Sequence, residues 1–382
     1  MDICVLNQFF YPYYGGTEKV LLEIYSRLSK KHNITVLTSA IPGTEPNESV
    51  RGINIVRLKS RKINVPFAPL PLVAMDELNK KIIELDADAY HINNRYQYFG
   101  GKINAIKGQN KKLVLTIHNS LPKGIDFITD FGGLAYDVFW GRKVMKAADA
   151  ISGVSENAVK VTVPKSMMDK ARVIYNGVDY TVFRFREKSS KEVRSVIESL
   201  NFGPGPILLS NGRLTKQKGH EYIIKALGEL AKEGMQINFI VIGRGPLKDR
   251  MLELSRRFGI ADRVRIVEGI SEGELPFYYN AADAFVFPSL YEPAGMALME
   301  AMASCTPVIT TGVGGIPEVV KDYGEYIIPK SSGDLKRAIL KVLSSISEYR
   351  ERASTCRETT IIKEHDWDKI ANEYGSLFES LG

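Results

Sequence analysis

Short apolar runs alternate with amphipathic helical stretches along nearly the whole 382-residue chain, and few architectures accept that order. Strands joined by crossover helices lie parallel and are covered on both faces, so they read as apolar runs instead of apolar/polar alternation. The first such run is 2–9, followed by a turn-rich loop at 11–16. The stretch 18–31 then sets Val20, Leu21, Ile24 and Leu28 at helical spacing. Further strands are expected at 33–38, 53–58, 89–93, 112–118 and 150–154. A second series opens at 207–210 and continues at 237–242, 264–267, 284–287 and 307–310. Between the two series lie the turn Asn176-Gly177-Val178-Asp179, a charged stretch at 184–194 and the loop Gly203-Pro204-Gly205-Pro206. The expected fold class is α/β, with two Rossmann-like doubly wound domains, 1–177 and 178–365, facing each other across a cleft. Open sheets of this kind bind ligands beyond the carboxyl ends of their strands.

Composition narrows the class. With 44% hydrophobic and 25% charged residues, the chain is neither disordered, collagenous nor a coiled coil. Cys4, Cys305 and Cys356 are far apart, so neither a disulfide framework nor a zinc site is expected, and a reducing, cytoplasmic setting is. No apolar run is long enough to span a membrane, and the opening MDICVLNQFF does not read as a signal peptide. The net charge of +7 is unevenly divided: residues 1–175 hold 24 Lys+Arg against 16 Asp+Glu, and residues 176–382 hold 27 against 28. A basic first half fits either a solvated surface or an anionic partner such as a membrane or a phosphorylated acceptor. Nucleic acid is disfavoured, since no recognised binding motif accompanies the charge. Within that half, Arg57, Lys59, Arg61 and Lys62 precede an uncharged, proline-broken segment, 63–75, carrying Phe67, Leu70, Leu72 and Val73. A basic cluster beside an apolar loop suits an anionic bilayer surface; the alternative is that these apolar residues pack under the first domain and the charges are solvated.

Three constellations fall at expected strand ends. In 287–308, Pro293 is expected at a first helical position and 295–303 as helix. The N-terminus of such a helix binds a diphosphate readily: Gly295 permits close approach, and the Met296 and Ala297 N–H groups point at the anion. Glu292 and Glu300 stand eight residues apart, about 12 Å along a helix. That is near the span from a nucleotide's ribose to the sugar beyond its diphosphate. Each carboxylate can accept hydrogen bonds from vicinal hydroxyls, although Glu, Ala and Met would also serve a plain helix. After 207–210 come Gly212-Arg213-Leu214-Thr215-Lys216-Gln217-Lys218-Gly219, where Arg213 and Lys218 can neutralise a departing diphosphate. After the first strand, Gly15-Gly16 allow close backbone approach to an anion or sugar. His118 ends its strand on the same side. The dinucleotide fingerprint GxGxxG is absent, which disfavours a nicotinamide enzyme. Asp86-Ala87-Asp88 and Asp366-Trp367-Asp368 imitate a metal-holding DxD but do not end strands. Tyr278, Tyr279 and Phe285 have core spacing and need no further role.

Together these segments resemble the family 4 retaining glycosyltransferases of GT-B fold, whose E-x7-E signature matches Glu292 to Glu300. The likeness extends to Gly15-Gly16, His118, Val173-Ile174-Tyr175-Asn176-Gly177-Val178-Asp179, Arg213 to Gly219 and His365-Asp366-Trp367. The resemblance implies that Arg213 and Lys218 bind the donor diphosphate, Glu300 the ribose and Glu292 the transferred sugar. It places His118 beside that sugar, with Gly15 and Gly16 closing over it. It also implies that no metal or other cofactor is needed, that the nucleotide-sugar is a substrate, and that the helix 366–382 returns to the first domain. Arg244 stands where the family commonly has Asp, Ala294 where it often has Phe, and Cys305 where it has Gly. The expected activity is retaining transfer of a hexose-type sugar from a UDP- or GDP-sugar to a hydroxyl of a glycan or lipid-linked acceptor, at the inner membrane face. A nucleotide-sugar epimerase and a binding module without turnover are the alternatives; a phosphorylase would need a lysine-held pyridoxal site, for which there is no sign. Glu272 is a candidate acceptor for guanine N1 and N2.

Overall fold

The computed structural model describes residues 1–13, 15–65, 68–95, 97–119 and 140–382, without the side chains of 62–65 and 68–70. Tyr14, Phe67 and the side chains of Lys62 and Leu70 therefore lie outside the described residues. The chain divides into two compact units. Among the described residues, one comprises those up to 119, 140–176 and 367–382, and the other 177–366.

The first unit is built on ten described strands: β1 (Asp2–Leu6), β2 (Asn33–Ser39), β3 (Asn47–Val50), β4 (Ile53–Leu58), β5 (Ser60–Val65), β6 (Ala68–Val73), β7 (Ala89–Ile92), β8 (Lys112–Ile117), β9 (Ala150–Gly153) and β10 (Ala171–Val173). Eight of them form a sheet in the order β10-β9-β8-β7-β1-β2-β4-β3, parallel except for β3 against β4. The strand order reverses between β1 and β7, and the chain leaves β1 toward Gly15 and leaves β7 toward Asn93.

The closing helix, Trp367–Glu379, packs on the helix Gly16–Leu28 of this unit. Trp367, Ile370, Tyr374, Leu377 and Phe378 are buried along one stripe of it, which is the amphipathic pattern that fixes a helix to a sheet. Polar chemistry fixes its register as well. Tyr374 Oη lies 3.1 Å from Thr116 Oγ1 and 3.3 Å from Ser152 Oγ, and Thr116 Oγ1 lies 2.7 Å from His91 Nε2. Tyr25 closes the network on His91 Nδ1. Burial pushes the His91 imidazole down to about 3, so it stays neutral, one ring nitrogen donating and the other accepting.

In the second unit, β11 (Ile207–Asn211), β12 (Asn238–Ile242), β13 (Val264–Val267), β14 (Ala284–Phe287), β15 (Val308–Thr311) and β16 (Glu325–Ile327) form an all-parallel sheet ordered β13-β12-β11-β14-β15-β16. This is the doubly wound order in which the strand direction of travel switches between the first and fourth strands. Successive side chains alternate between two separate cores. Leu209, Ile240, Phe285, Phe287 and Val308 pack on one face, and Leu208, Phe239, Val241, Ala284 and Ile309 on the other. Both faces being apolar is why these strands read as continuous hydrophobic runs.

Three sequence expectations are corrected here. The proline-broken segment 63–75 is not a loop: β5 and β6 pair antiparallel as a two-stranded sheet of their own. Arg57 does not belong to a basic surface cluster, because its guanidinium is buried, paired with Glu48 and hydrogen-bonded to the carbonyls of Tyr11 and Glu45. An arginine so placed ties β4 to the β1 loop. Pro293 is not a first helical residue. The helix is Met296–Ala303, capped by Gly295 in the left-handed region at φ +68°, and that turn separates Pro293 from the helix axis.

Candidate active site

The second unit gathers its polar groups at the carboxyl ends of β11 and β14, the two strands that flank the switch point. Arg213 follows β11 and is exposed, with no ion pair among the described residues. Lys218 is half-buried at the end of the same loop. Its ammonium donates to Glu292 Oε2 at 2.5 Å and stands 4.8 Å from the Phe287 ring centroid. Glu292 follows β14, is 8% exposed, and accepts the Gly295 N–H on its other oxygen at 3.1 Å. Its backbone is clamped from β15, whose loop donates the Gly315 N–H to the Glu292 carbonyl at 2.9 Å. Removing an ammonium and a carboxylate from water is costly unless both are paired. The two residues meet that condition with each other, across 74 positions of sequence.

The first N–H groups of a helix have no partner within it and carry the positive end of its dipole. Met296 and Ala297 supply such groups immediately after Gly295. About one turn further, Glu300 is 7% exposed, and its Oε2 accepts from Tyr279 Oη at 2.8 Å with Asn211 Nδ2 at 3.5 Å. Tyr279, assigned only to the core by its spacing, is therefore part of this cluster. Its signal was invisible in the sequence because the helix carrying it, Leu275–Ala281, meets Glu300 only in the folded unit. His220, the residue after Gly219, is 1% exposed with neither ring nitrogen hydrogen-bonded, and burial plus the nearby Lys218 push its imidazole down to about 3. Glu272 is exposed in the loop after β13, away from the Lys218–Glu292 pair along the sheet edge.

The remaining sequence candidates belong to the first unit. His118 follows β8, is 7% exposed, and its Nε2 donates to Asn93 Oδ1 at 2.9 Å. Burial pushes it down to about 4, so it is neutral near pH 7. Gly15 caps the helix Gly16–Leu28, and a Cβ there would lie 2.1 Å from Glu18 Oε2. The glycine is what lets the Glu18 carboxylate fold back over its own helix terminus, where it also meets Asn7 Nδ2 at 3.4 Å and where burial raises its pKa. In the two DxD look-alikes, Asp86, Asp88 and Asp368 each have a partner within the fold. Asp86 ends a helix and pairs with Lys111 at 2.8 Å, Asp88 accepts the Asp2 N–H, and Asp368 pairs with Arg27. Among the described residues no cluster of His, Cys, Asp and Glu could hold a metal ion.

Residues 194–358 match the family model described as Glycosyl transferases group 1, and residues 14–182 match Glycosyltransferase Family 4. The chain belongs to these glycosyltransferases. It is 28% identical to an uncharacterized glycosyltransferase of Methanocaldococcus jannaschii, over 91% of this chain and 90% of the relative. It is 26% identical to alpha-maltose-1-phosphate synthase of Mycolicibacterium smegmatis over the full length of both. Among solved structures, Anabaena HepE in complex with UDP and glucose superposes with a TM-score of 0.78 at 19% identity, covering both chains fully. Sucrose-phosphate synthase of Thermosynechococcus elongatus does so at 0.77 and 21% identity, covering 100% of this chain and 98% of that one. The fold of this glycosyltransferase is GT-B, with two Rossmann-like domains.

Three positions where its sequence departs from the family pattern have the following surroundings. Cys305 sits at φ +55°, a left-handed position that glycine occupies without strain. Arg244 lies 3.2 Å from Glu268, a carboxylate it shares with Lys248. Ala294 is buried between Pro293 and the Gly295 cap.

Proposed function

We propose that this glycosyltransferase moves a hexose-type sugar from a UDP- or GDP-sugar to a hydroxyl of a glycan or lipid-linked acceptor, with retention at the anomeric carbon. The observation that carries the reading is the convergence of Arg213, Lys218, Glu292 and the Met296–Ala303 helix terminus on one switch point. Two cations and a helix dipole at one strand edge suit a diphosphate. The buried carboxylates, one on each side of the helix terminus, suit sugar hydroxyls. In the step proposed, the bond from C1 to the β-phosphate oxygen breaks as the acceptor oxygen attacks from the same face. The acceptor proton passes to the departing phosphate, and the nucleoside diphosphate leaves. Arg213 and Lys218 stabilise the charge that grows on that leaving group. The neutral His118, with Gly15 and Gly16, is assigned to the transferred sugar, and Glu272 to the base. Anabaena HepE, solved with UDP and glucose, supports a donor of this class.

Thermal shift against uridine, guanosine and adenosine diphosphates, followed by turnover of labelled donor, tests the proposal. Release of sugar onto an acceptor distinguishes transfer from epimerisation and from binding alone. Arg213→Ala and Lys218→Ala are each expected to lower turnover more than donor affinity, because the leaving-group charge peaks in the transition state. Loss of affinity with turnover intact would remove both residues from the chemistry. No metal enters the proposed step, and activity is expected to survive EDTA. Abolition by the chelator and rescue by manganese would redirect the assignment to the carboxylates.

The acceptor side of the proposal rests on the first unit. The β5–β6 hairpin stands as its own sheet, with Lys59 and Arg61 exposed at its base, and no helix among the described residues is long and apolar enough to cross a membrane. We place the enzyme in the cytoplasm, at the inner membrane face. Cosedimentation with anionic but not neutral vesicles, weakened by salt and by neutralising Lys59, Arg61 and Lys62, is the expected result. Indifference to vesicles would assign it a soluble acceptor.

A further inference from the structure

The Glu300 carboxylate does not choose its own orientation. Tyr279 Oη is 2.8 Å from Glu300 Oε2 and 3.2 Å from the Ala297 carbonyl. A phenol has one proton to give, and a hydrogen bond to a charged carboxylate is the stronger of the two. Asn211 Nδ2 in turn donates to the phenol oxygen at 3.2 Å, so Asn211, Tyr279 and Glu300 form a chain running from the end of β11 to the helix after β14. The tyrosine ring is held on several sides. Phe183 meets it edge-on with centroids 5.8 Å apart, Phe285 lies at 5.3 Å, and Thr306 Oγ1 donates to its backbone carbonyl at 3.0 Å. Tyr279 is wholly buried, and a hydroxyl on a ring packed this way has one place to be.

We propose that Tyr279 is the positioning residue that aims Glu300 at the ribose hydroxyls of the donor, so that the site selects a ribonucleotide over its deoxy counterpart. This rests on the reading of Glu300 as the ribose-binding carboxylate. Vicinal hydroxyls need a carboxylate at a fixed tilt to donate to it together, and an ionised group free to rotate would hold them one at a time. Tyr279 fixes that tilt through Oε2. It does not touch the nucleotide itself.

Tyr279→Phe keeps the ring and its packing and removes only the hydroxyl. The full-length variant, wild type and Glu300→Ala are titrated calorimetrically with UDP, GDP and ADP and with the 2′,3′-dideoxy form of each. Wild type is expected to prefer the ribonucleotide by at least about tenfold, the scale of one hydrogen bond to a charged group. Tyr279→Phe is expected to lose about tenfold for the ribonucleotide and less than about twofold for the dideoxy form. Equal weakening toward both forms would make Tyr279 a merely structural residue, and unchanged discrimination would leave it no role; either overturns the inference. The parent assignment has its own readout. If Glu300→Ala discriminates as wild type does, or wild type does not discriminate, Glu300 is not the ribose ligand. If Glu300→Ala loses discrimination and Tyr279→Phe keeps it, only the positioning role falls.

Discussion

Replacing Glu292 by alanine is expected to cost the second unit about 3–5 kcal/mol, because it leaves the Lys218 ammonium without its partner in a site from which water is largely excluded. The side chains are 14% and 10% exposed, so little solvent is available to compensate. A loss of that size lowers the melting temperature of a domain of this size by roughly 10 °C. The same substitution is expected to lower turnover by about one to two decades, the value of hydrogen bonds to a charged group at the reacting sugar. Nucleoside diphosphate affinity is expected to hold or improve, since the diphosphate no longer competes with Glu292 for Lys218. Its stabilising effect on the variant should accordingly exceed its effect on wild type. Glu300→Ala is expected to show the opposite pattern, weaker nucleotide binding with a smaller loss of the chemical step. Glu292→Gln keeps an acceptor for the Gly295 N–H and removes only the charge. A melting temperature unchanged in both Glu292 variants would mean that the Lys218–Glu292 pair contributes nothing to the fold. Turnover unchanged as well would remove Glu292 from the site.

Mild acid is the second large effect. His91, His118 and His220 are all buried, and burial pushes them down to about 3, 4 and 3. The unfolded chain takes up these protons as pH falls below about 6.5, while the folded chain refuses them until near pH 4. Each histidine therefore contributes stability that is complete above pH 6.5 and is lost as pH falls, at about 1.4 kcal/mol per pH unit. The two in the first unit together approach about 3 kcal/mol per pH unit, so a drop from pH 6.5 to 4.5 removes roughly 5 kcal/mol from it, comparable with the whole stability of a marginal domain. Glu18 and Glu373, raised by burial, act in the opposite direction, but only as the pH nears the ordinary carboxylate range. His91 and His118 lie in the first unit and His220 in the second, so the first unit is expected to melt earlier in acid. Calorimetric melting at pH 7, 6 and 5, with proton uptake measured in two buffers, checks this. A melting temperature flat across that range would refute it.

The sequence by itself determined the parallel sheets and much of the candidate site. A strand covered on both faces must be apolar at every position, and β11, β12, β14 and β15 announce themselves for that reason alone. Glu292, Gly295 and Glu300 are legible because they lie within nine consecutive residues, although only Glu300 is on the helix: Gly295 caps it and Glu292 stands in the turn before it, so the two carboxylates are not set by helical rise. Short edge strands are not legible: β10 and β16 are three residues each, too short for a hydrophobic period to register, and β3, Asn47–Val50, has a single apolar residue. The β5–β6 hairpin is hidden in the sequence because Pro69 and Pro71 argue against a strand. Its register explains why they are tolerated. Two residues apart on a strand with one partner, they turn their missing N–H to the same unpaired edge, where the Pro71 carbonyl and the Val73 N–H meet the Tyr98 hydroxyl instead.

What only the tertiary structure decided is which side chains meet. Lys218 reaches Glu292 because β11 lies beside β14 in the sheet, although their positions are 74 residues apart in the chain. Arg57 looks like one more surface cation until β3 and the loop after β1 close over it. Tyr279 has the spacing of a core residue and is one, but its hydroxyl reaches a carboxylate that local periodicity cannot see. Periodicity reports which face of an element is buried. It does not report what that face is buried against, and in this protein the partners of the charged and polar groups are set by strand order.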